Sequence, residues 1–452
     1  MGIRKYFQKD IEAYKDWMFC KYREYPRSRM AGWFFRYSTY HRARRLQAWH
    51  DPISVAFLVN EVGAWKTEEL YIAMHSHPRF SPMLVVIASE EVKDADLQMA
   101  DFLEKKGYDY VHVPQGKTLE EYGIHPDIIF YEKPYITSIH ESYRPQKLLG
   151  PLYCYTGYAF HNTDARWNFN QPLTNICWKV FYEHEEIKRL ADSYMDNKWN
   201  GCATGIPMMD ALRKPKDAFP DPWKSQKTPK KRIIWAPHHT LENKGLMAEN
   251  PLATFLDYAD WMLQIVKKYE DTVQWAFKPH PLLYDKLVRL WGEERTRCYY
   301  NQWKEMDNTQ LEEGEYVGLF KYSDAMIHDC GSFMVEYHYT LNPVMYLVRS
   351  NQDYTKGLTE MTQQGFLLHT IGHNTCEIEQ FIKNIISGTD GHRASRQAYY
   401  RKYLIPRGAS ASQNIMNSIL RMTFREKMTY YGLSVLMQAY RRRLRAAGLT
   451  EM

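Results

Sequence analysis

The stretch from Lys321 to Arg349, KYSDAMIHDCGSFMVEYHYTLNPVMYLVR, reads as a strand, a tight turn, a helix and a second strand. Ala325 to His328 is a short apolar run that stops at Asp329, Gly331 permits a sharp turn, and a helix starts at or near Ser332. Tyr339 to Asn342 closes the helix, and Pro343 to Val348 reads as the next buried strand. A helix opening at such a turn offers unpaired N–H groups and the positive end of its dipole, at Ser332 and Phe333, to an anion such as phosphate, with the Ser332 hydroxyl as a further donor. The same segment also reads as an ordinary βαβ unit in which Ser332 only caps the helix.

A second stretch sharpens the choice. Val273 to Phe277 is β-rich and ends abruptly at Lys278-Pro279-His280-Pro281. Two prolines fix the backbone around His280, which predicts an imidazole held at the carboxyl end of a strand, where open α/β sheets collect ligands. There it donates to a phosphate or nucleotide, or is merely solvated. Ile233 to Ala236 is another strand, and His238 and His239 end it on the same edge of the sheet. Only Glu242 stands near this His pair, with no Cys or Asp, so no metal is predicted.

The strand-KPHP corner and the strand-D-x-G-S-helix turn, some fifty residues apart, together resemble the C-terminal domain of CDP-glycerol glycerophosphotransferases, the teichoic-acid and capsule polymerase family. They are also similar to elements of bacterial sialyltransferases that use CMP-activated sugars. Ala203 to Asp210 (ATGIPMMD) resembles the family's T-G-x-P-x-x-D segment, Ile233 to Thr240 its following strand and loop, and Pro406 to Ser412 its closing G-x-A-S segment. The resemblance implies a GT-B architecture and a donor that is a CDP-activated polyol, such as CDP-glycerol or CDP-ribitol. Its pyrophosphate would be held by Gly331, Ser332 and Phe333 backbone groups and by His280, which stabilises the leaving phosphate without a cofactor. Lys278, His238 and His239 join this donor set. Asp329 braces the turn, and Glu336 either meets a ribose hydroxyl or is a solvated helix carboxylate.

The family's W-H-G-T motif supplies a histidine taken as the catalytic base. Here the corresponding residues are Tyr155-Thr156-Gly157-Tyr158, without a histidine. His161 and Asp164 are the candidates to accept the proton instead, unless they simply pack or are solvated.

At 452 residues the chain is long enough for two domains. From Pro52 onward strand-length runs alternate with helices, at Ile53–Val59, 66–77, 83–88, 92–106 and 127–131, which predicts a doubly wound parallel sheet. The loop Asn60 to Trp65 falls at the carboxyl end of the first strand and lacks the glycine fingerprint of dinucleotide binders. The predicted organisation is a basic aromatic helical extension over 1–50, an N-terminal Rossmann-like acceptor domain over 51–210, a Pro- and Lys-rich linker over 211–231, a C-terminal Rossmann-like donor domain over 232–420, and a basic helical segment over 421–452. Residues 412–445 read as one helix or two.

Charge is uneven. Residues 1–50 carry +8 and residues 421–452 carry +5, against a chain total of +6, which leaves the body at −7. Without zinc spacing, a ribonucleoprotein motif or a helix-turn-helix pattern, nucleic acid is not the expected partner. Basic residues interleaved with aromatics at both ends predict an anionic membrane surface, or a helical arm packed on the body or on a second subunit of a homo-oligomer. Seven cysteines in no C-x-x-C pair, and no secretory leader or spanning segment, predict a cytoplasmic protein peripheral to the inner face of the membrane.

These features converge on an enzyme that moves glycerol- or ribitol-phosphate from a CDP-activated donor to a cell-envelope or capsule glycan or lipid-linked acceptor. The alternatives are a GT-B glycosyltransferase using a CMP- or NDP-activated sugar, and a non-catalytic membrane-associated scaffold.

Overall fold

The computed structural model describes residues 9, 29–90, 92–145, 148, 150–241, 253–349 and 354–447. The first of the two helices predicted within 1–50, and Glu242, lie outside these residues. Thirteen described strands form two sheets paired wholly in parallel. In the first, β1 (Ile53–Val59), β2 (Phe80–Ile87), β3 (Tyr110–Val113), β4 (Ile128–Tyr131), β5 (Leu152–Thr156), β6 (Lys179–Tyr182) and β7 (Gly201–Ala203) lie in the order β3-β2-β1-β4-β5-β6-β7. In the second, β8 (Lys231–Ala236), β9 (Val273–Phe277), β10 (Thr309–Leu311), β11 (Ala325–His328), β12 (Val344–Leu347) and β13 (Thr370–Gly372) follow the order β10-β9-β8-β11-β12-β13. Both are doubly wound Rossmann-like sheets. Each reverses its strand order beside its first strand, between β1 and β4 and between β8 and β11, and ligands of such folds bind outside the carboxyl ends at that reversal.

The central strands are mostly apolar because helices cover both sheet faces. Val55, Phe57, Val59, Leu84, Val86, Phe130 and Phe181 form the first core, and Trp235, Phe255, Phe277 and Trp303 anchor the second. Predicted helix starts and ends are trimmed rather than moved: 66–77 becomes Glu68–His75, and 92–106 becomes Ala95–Lys106.

The chain forms two compact units, Met1–Asp210 with Pro406–Met452, and Ala211–Ile405. This differs from the predicted boundaries in two places. Residues 211–231 are not a free linker: Trp223 is buried in the second unit, its indole donates to the Leu319 carbonyl, and the Lys224 N–H donates to Gln310. The chain also returns to the first unit at Pro406 instead of staying in the second until 420. Ile415, Met416 and Ile419 enter the first core, each burial contributing about 1.5–3 kcal/mol. Asp210 fixes the return by accepting the N–H groups of Ala411 (2.9 Å) and Ser412 (2.8 Å).

Residues 411–446 form two helices, Ala411–Leu420 and Phe424–Ala446, the second opened by a Thr423/Glu426 capping box. The Arg29–Ala48 helix packs on Phe424–Ala446 through Tyr37 stacked on Tyr430 and Phe34 edge-on to Tyr440. The described part of the basic N-terminal arm therefore meets the basic C-terminal helix. Among the described residues no helix is long and apolar enough to cross a membrane, and the six described cysteines are free.

Candidate functional site

In the second unit β8 and β9 are neighbours, so the loops that leave them are brought together at one edge. His238 and His239 follow β8 and His280 follows β9, and the three rings lie 4.2–5.1 Å apart by centroid. Lys286, on the Leu283–Trp291 helix, places Nζ 2.8 Å from His239 Nδ1. An ammonium can only donate, so His239 Nδ1 accepts and its Nε2 carries the proton. The Leu282 N–H donates to His280 Nδ1 at 3.1 Å, which fixes the same tautomer there. Burial above all, then neighbouring imidazole and lysine charge, pushes His238 down to about 2, His280 to about 3 and His239 to about 4. All three are neutral at physiological pH.

One ring nitrogen from each histidine lies within 4.8 Å of the other two, a spacing that would also suit a metal ion. With Nδ1 of His239 and His280 already accepting, however, their remaining nitrogens are N–H donors instead of lone-pair ligands. A cluster of N–H donors beside a lysine suits an anion.

Asp329, at the end of β11, lies across the strand reversal from His238. Its carboxylate accepts the His238 N–H at 2.5 Å, the Thr254 N–H at 2.5 Å and the Thr254 hydroxyl at 2.8 Å. Burial raises its pKa to about 6 against these donors. It ties the ends of β8 and β11 and the head of the Phe255–Lys268 helix into one piece. Lys278 stands slightly apart, with Nζ donating to the Gly314 carbonyl at 2.9 Å.

The turn after Asp329 departs from the sequence reading. The helix is a single turn, Phe333–Glu336, continued by a 3₁₀ segment over Tyr337–Thr340. Gly331 does not take a positive φ, and the Ser332 side chain makes no capping bond. Hydrogen bonds from the N–H groups of Ser332 and Phe333 to the Cys330 sulfur partly offset the burial that pushes its thiol up. The space where a Gly331 side chain would stand holds no atom within 4 Å, so the backbone is open to close approach there. Glu336 is not a solvated helix carboxylate: it is 2% exposed and hydrogen-bonded with Tyr316.

The first unit carries a different constellation. Gly157 follows β5, and a Cβ there would come within 2.9 Å of the Ala159 carbonyl, so the turn requires glycine. That turn delivers His161 to Glu183, the residue directly after β6. The His161 N–H donates to Glu183 Oε1 at 2.7 Å, and ring Nδ1 lies 3.0 Å from Oε2. The ring stacks on Phe169 at 5.0 Å. Burial pushes the Glu183 carboxyl up, but the charge and hydrogen bonds of His161 outweigh it and hold it below the ordinary range. A carboxylate accepting from Nδ1 fixes the tautomer, with the lone pair on Nε2 whenever the ring is neutral. Asp164 lies apart from this pair, exposed, accepting from the Tyr194 hydroxyl at 2.7 Å.

Sequence reasoning missed Glu183 and Lys286. Each had a faint signal: a carboxylate immediately after an apolar strand, and a lysine in the first turns of the helix that follows the His280 corner.

The sequence profile of the family described as CDP-glycerol:poly(glycerophosphate) glycerophosphotransferase matches residues 178–421, more than half of the chain. No curated protein matches it. Among solved structures, a variant of the wall teichoic acid polymerase TagF soaked with CDPG is similar with a TM-score of 0.54 and 13% identity over 93% of this chain and 98% of that one. A TagF variant without that soak gives 0.53 and 12% over 97% and 100%, and a UDP-N-acetylglucosamine 2-epimerase gives 0.50 and 15% over 84% and 96%. At such identities these structures show a shared fold, the Rossmann-like pair expected of the GT-B type. With the profile spanning β6 to the end of the Ala411–Leu420 helix, the chain belongs to the CDP-glycerol:poly(glycerophosphate) glycerophosphotransferase family and is an enzyme of that transferase type.

Proposed function

We propose that the protein transfers a polyol phosphate, glycerol- or ribitol-phosphate, from its CDP ester to a hydroxyl of an envelope glycan or lipid-linked acceptor in teichoic acid or capsule synthesis. The observation that carries this reading is the donor set of His238, His239, His280 and Lys286 at the strand reversal of the second sheet. Three neutral imidazoles and one ammonium suit a diphosphate: they hydrogen-bond its oxygens and concentrate positive potential where charge grows as CMP departs. In the transfer, the acceptor oxygen forms a bond to the phosphorus that bears the polyol. The bond from that phosphorus to the bridging oxygen breaks, and CMP leaves with the electron pair.

Removal of the acceptor proton has its own apparatus in the first unit. His161 Nε2 takes the proton, and Glu183 on Nδ1 steadies the imidazolium that forms. The same pair argues against a scaffold that has lost its base.

Attachment to an anionic bilayer belongs to this proposal. On the Phe424–Ala446 helix, Phe424, Met428, Tyr431 and Val435 are 54–80% exposed and recur at helical spacing, among exposed Arg421, Arg425, Lys427 and Arg441 to Arg443. An apolar stripe bordered by cations suits a phospholipid interface.

The test of the whole reading is calorimetric titration of CDP, CMP, UDP and GDP beside transfer from CDP-glycerol and CDP-ribitol. CDP should bind most tightly, and His280→Ala and Lys286→Met should each weaken it by about tenfold. Preference for another nucleotide, or full CDP affinity in both variants, would overturn the donor assignment.

A further inference from the structure

The strand reversal of the first sheet, between β1 and β4, carries groups that the transfer scheme leaves unused. Glu132 directly follows β4, and its carboxyl accepts the N–H groups of Asn60 (3.0 Å) and Glu61 (3.2 Å) at the end of β1. It is about nine-tenths buried, and its other oxygen, Oε1, meets no hydrogen-bond partner among the described residues. Glu61 beside it accepts from Lys133 Nζ at 2.5 Å and from the Ser89 hydroxyl at 3.2 Å. Asn60 and Glu61 begin the loop that the sequence places at a ligand-binding edge.

A buried carboxyl oxygen without a partner costs free energy unless a ligand or water completes it. Burial, opposed by its two N–H donors, raises the Glu132 pKa to about 8, so the group is a carboxylic acid at neutral pH with a hydroxyl to give. Glu61 and Lys133 cancel in charge. The crevice therefore offers donors and acceptors with no net charge, which matches hydroxyl groups, each both donor and acceptor. A phosphate would find no net positive charge there to balance its own.

We propose that the crevice at the carboxyl ends of β1 and β4 is a subsite for a neutral polyhydroxyl chain end, in which Glu132 and Glu61 hydrogen-bond vicinal hydroxyls and Lys133 holds Glu61 in place. On the transferase reading this is the end of the acceptor. It lies on the carboxyl edge that also carries His161 and Glu183, since β4, β5 and β6 are consecutive in the sheet.

The experiment is calorimetric titration of a glycerol phosphate trimer with a free terminal diol, and separately of CDP, into the full-length protein. Glu132→Leu should weaken the trimer about tenfold or more, whereas Glu132→Gln, which keeps an acceptor for the backbone and a donor in place of the acid hydroxyl, should stay within about threefold. Glu61→Leu tests the same crevice should Glu132→Leu fail to fold. Excess glycerol should compete with the trimer and inorganic phosphate should not. Wild-type trimer affinity in Glu61→Leu, competition by phosphate but not glycerol, or no trimer binding by the wild type would each overturn the subsite. CDP affinity should be unchanged in all variants. Trimer binding without CDP binding would uphold the subsite and overturn the donor reading alone.

Discussion

Both sheets reverse their order beside their first strand, yet the two crevices are furnished differently. Between β8 and β11 a carboxylate is turned inward as a brace, Asp329, and what faces the edge is a set of imidazole donors and a lysine. Between β1 and β4 the brace is again a carboxyl receiving backbone N–H groups from the opposite strand, Glu132, but its companions are a neutral ion pair and a hydroxyl. One topology thus uses the same cross-strand carboxyl twice, and the side chains around it decide whether an anion or a neutral polyol is preferred. The first unit adds a buried His–Glu pair, His161–Glu183, whereas the His–Glu pair of the second unit, His373–Glu377, is exposed.

If proton transfer belongs to the first unit and phosphate recognition to the second, variants should separate rate from affinity. His161→Asn should lower turnover about a thousandfold and Glu183→Gln about a hundredfold, with CDP affinity unchanged by calorimetry and Asp164→Asn within about twofold of wild type. A large loss in Asp164→Asn with normal His161→Asn would invert the assignment. In the second unit, His280→Ala should lower steady-state turnover about a hundredfold, because a donor that stabilises the departing phosphate acts more on the transition state than on binding. Equal losses in kcat/KM and in CDP affinity would mean that His280 serves binding alone.

Gly331→Leu is expected to fold normally, since a Cβ there meets open space, and to change CDP affinity by less than about threefold, because the Ser332 and Phe333 N–H groups already serve the Cys330 sulfur. Ser332→Ala should do less. Circular dichroism with CDP titration checks both, and about a tenfold loss in Gly331→Leu would place the diphosphate against this turn after all.

The smallest effect expected is in pH dependence, and it runs in opposite directions at the two crevices. His238, His239 and His280 have pKa values below that of an unfolded histidine, so between about pH 6.5 and 2 the unfolded chain binds more protons there and stability falls as pH falls, offset in part by Asp329, raised to about 6. Glu132 is raised to about 8, so between about pH 4.5 and 8 the folded state holds the extra proton and stability falls as pH rises. Hydrogen exchange resolved by segment should show the 231–280 region loosening first in acid. At pH 8–9, Glu132→Gln should tighten the 53–132 region relative to wild type. Identical profiles for that variant and wild type would mean that Glu132 titrates normally.

The periodic parts of this architecture are legible in the sequence because a buried parallel strand must be an unbroken apolar run: Ile53–Val59 and Ala325–His328 are found with their predicted ends. The donor histidines are half legible. His238 and His239 announce themselves at the end of a strand, and their meeting with His280 follows once β8 and β9 are neighbours. What stays hidden is partnership across the fold. Nothing local to Glu183 says that a turn beginning at Gly157 delivers His161 to it. Nothing local to Ser332 says that the neighbouring Cys330 sulfur takes the N–H groups a phosphate would want. The closing segment from Pro406 misleads for a related reason: its apolar helix face says that it is buried, not in which core.

That return at Pro406 also sets an order of events during synthesis. Residues 211–405 contain everything their own core uses and can close as soon as they clear the ribosome. The first unit, although begun earlier, must wait for Ile415, Met416 and Ile419, and for Glu426 to reach the buried Lys179 on β6 (2.8 Å). Until then its apolar surface lacks a cover, and the strand that carries Glu183 lacks its anchor. On the proposed reading a nascent chain would therefore hold a finished nucleotide-recognition unit before it has a finished base, and a ribosome stalled once residue 405 has left the exit tunnel, with 411–420 still inside it, would display CDP binding without transfer.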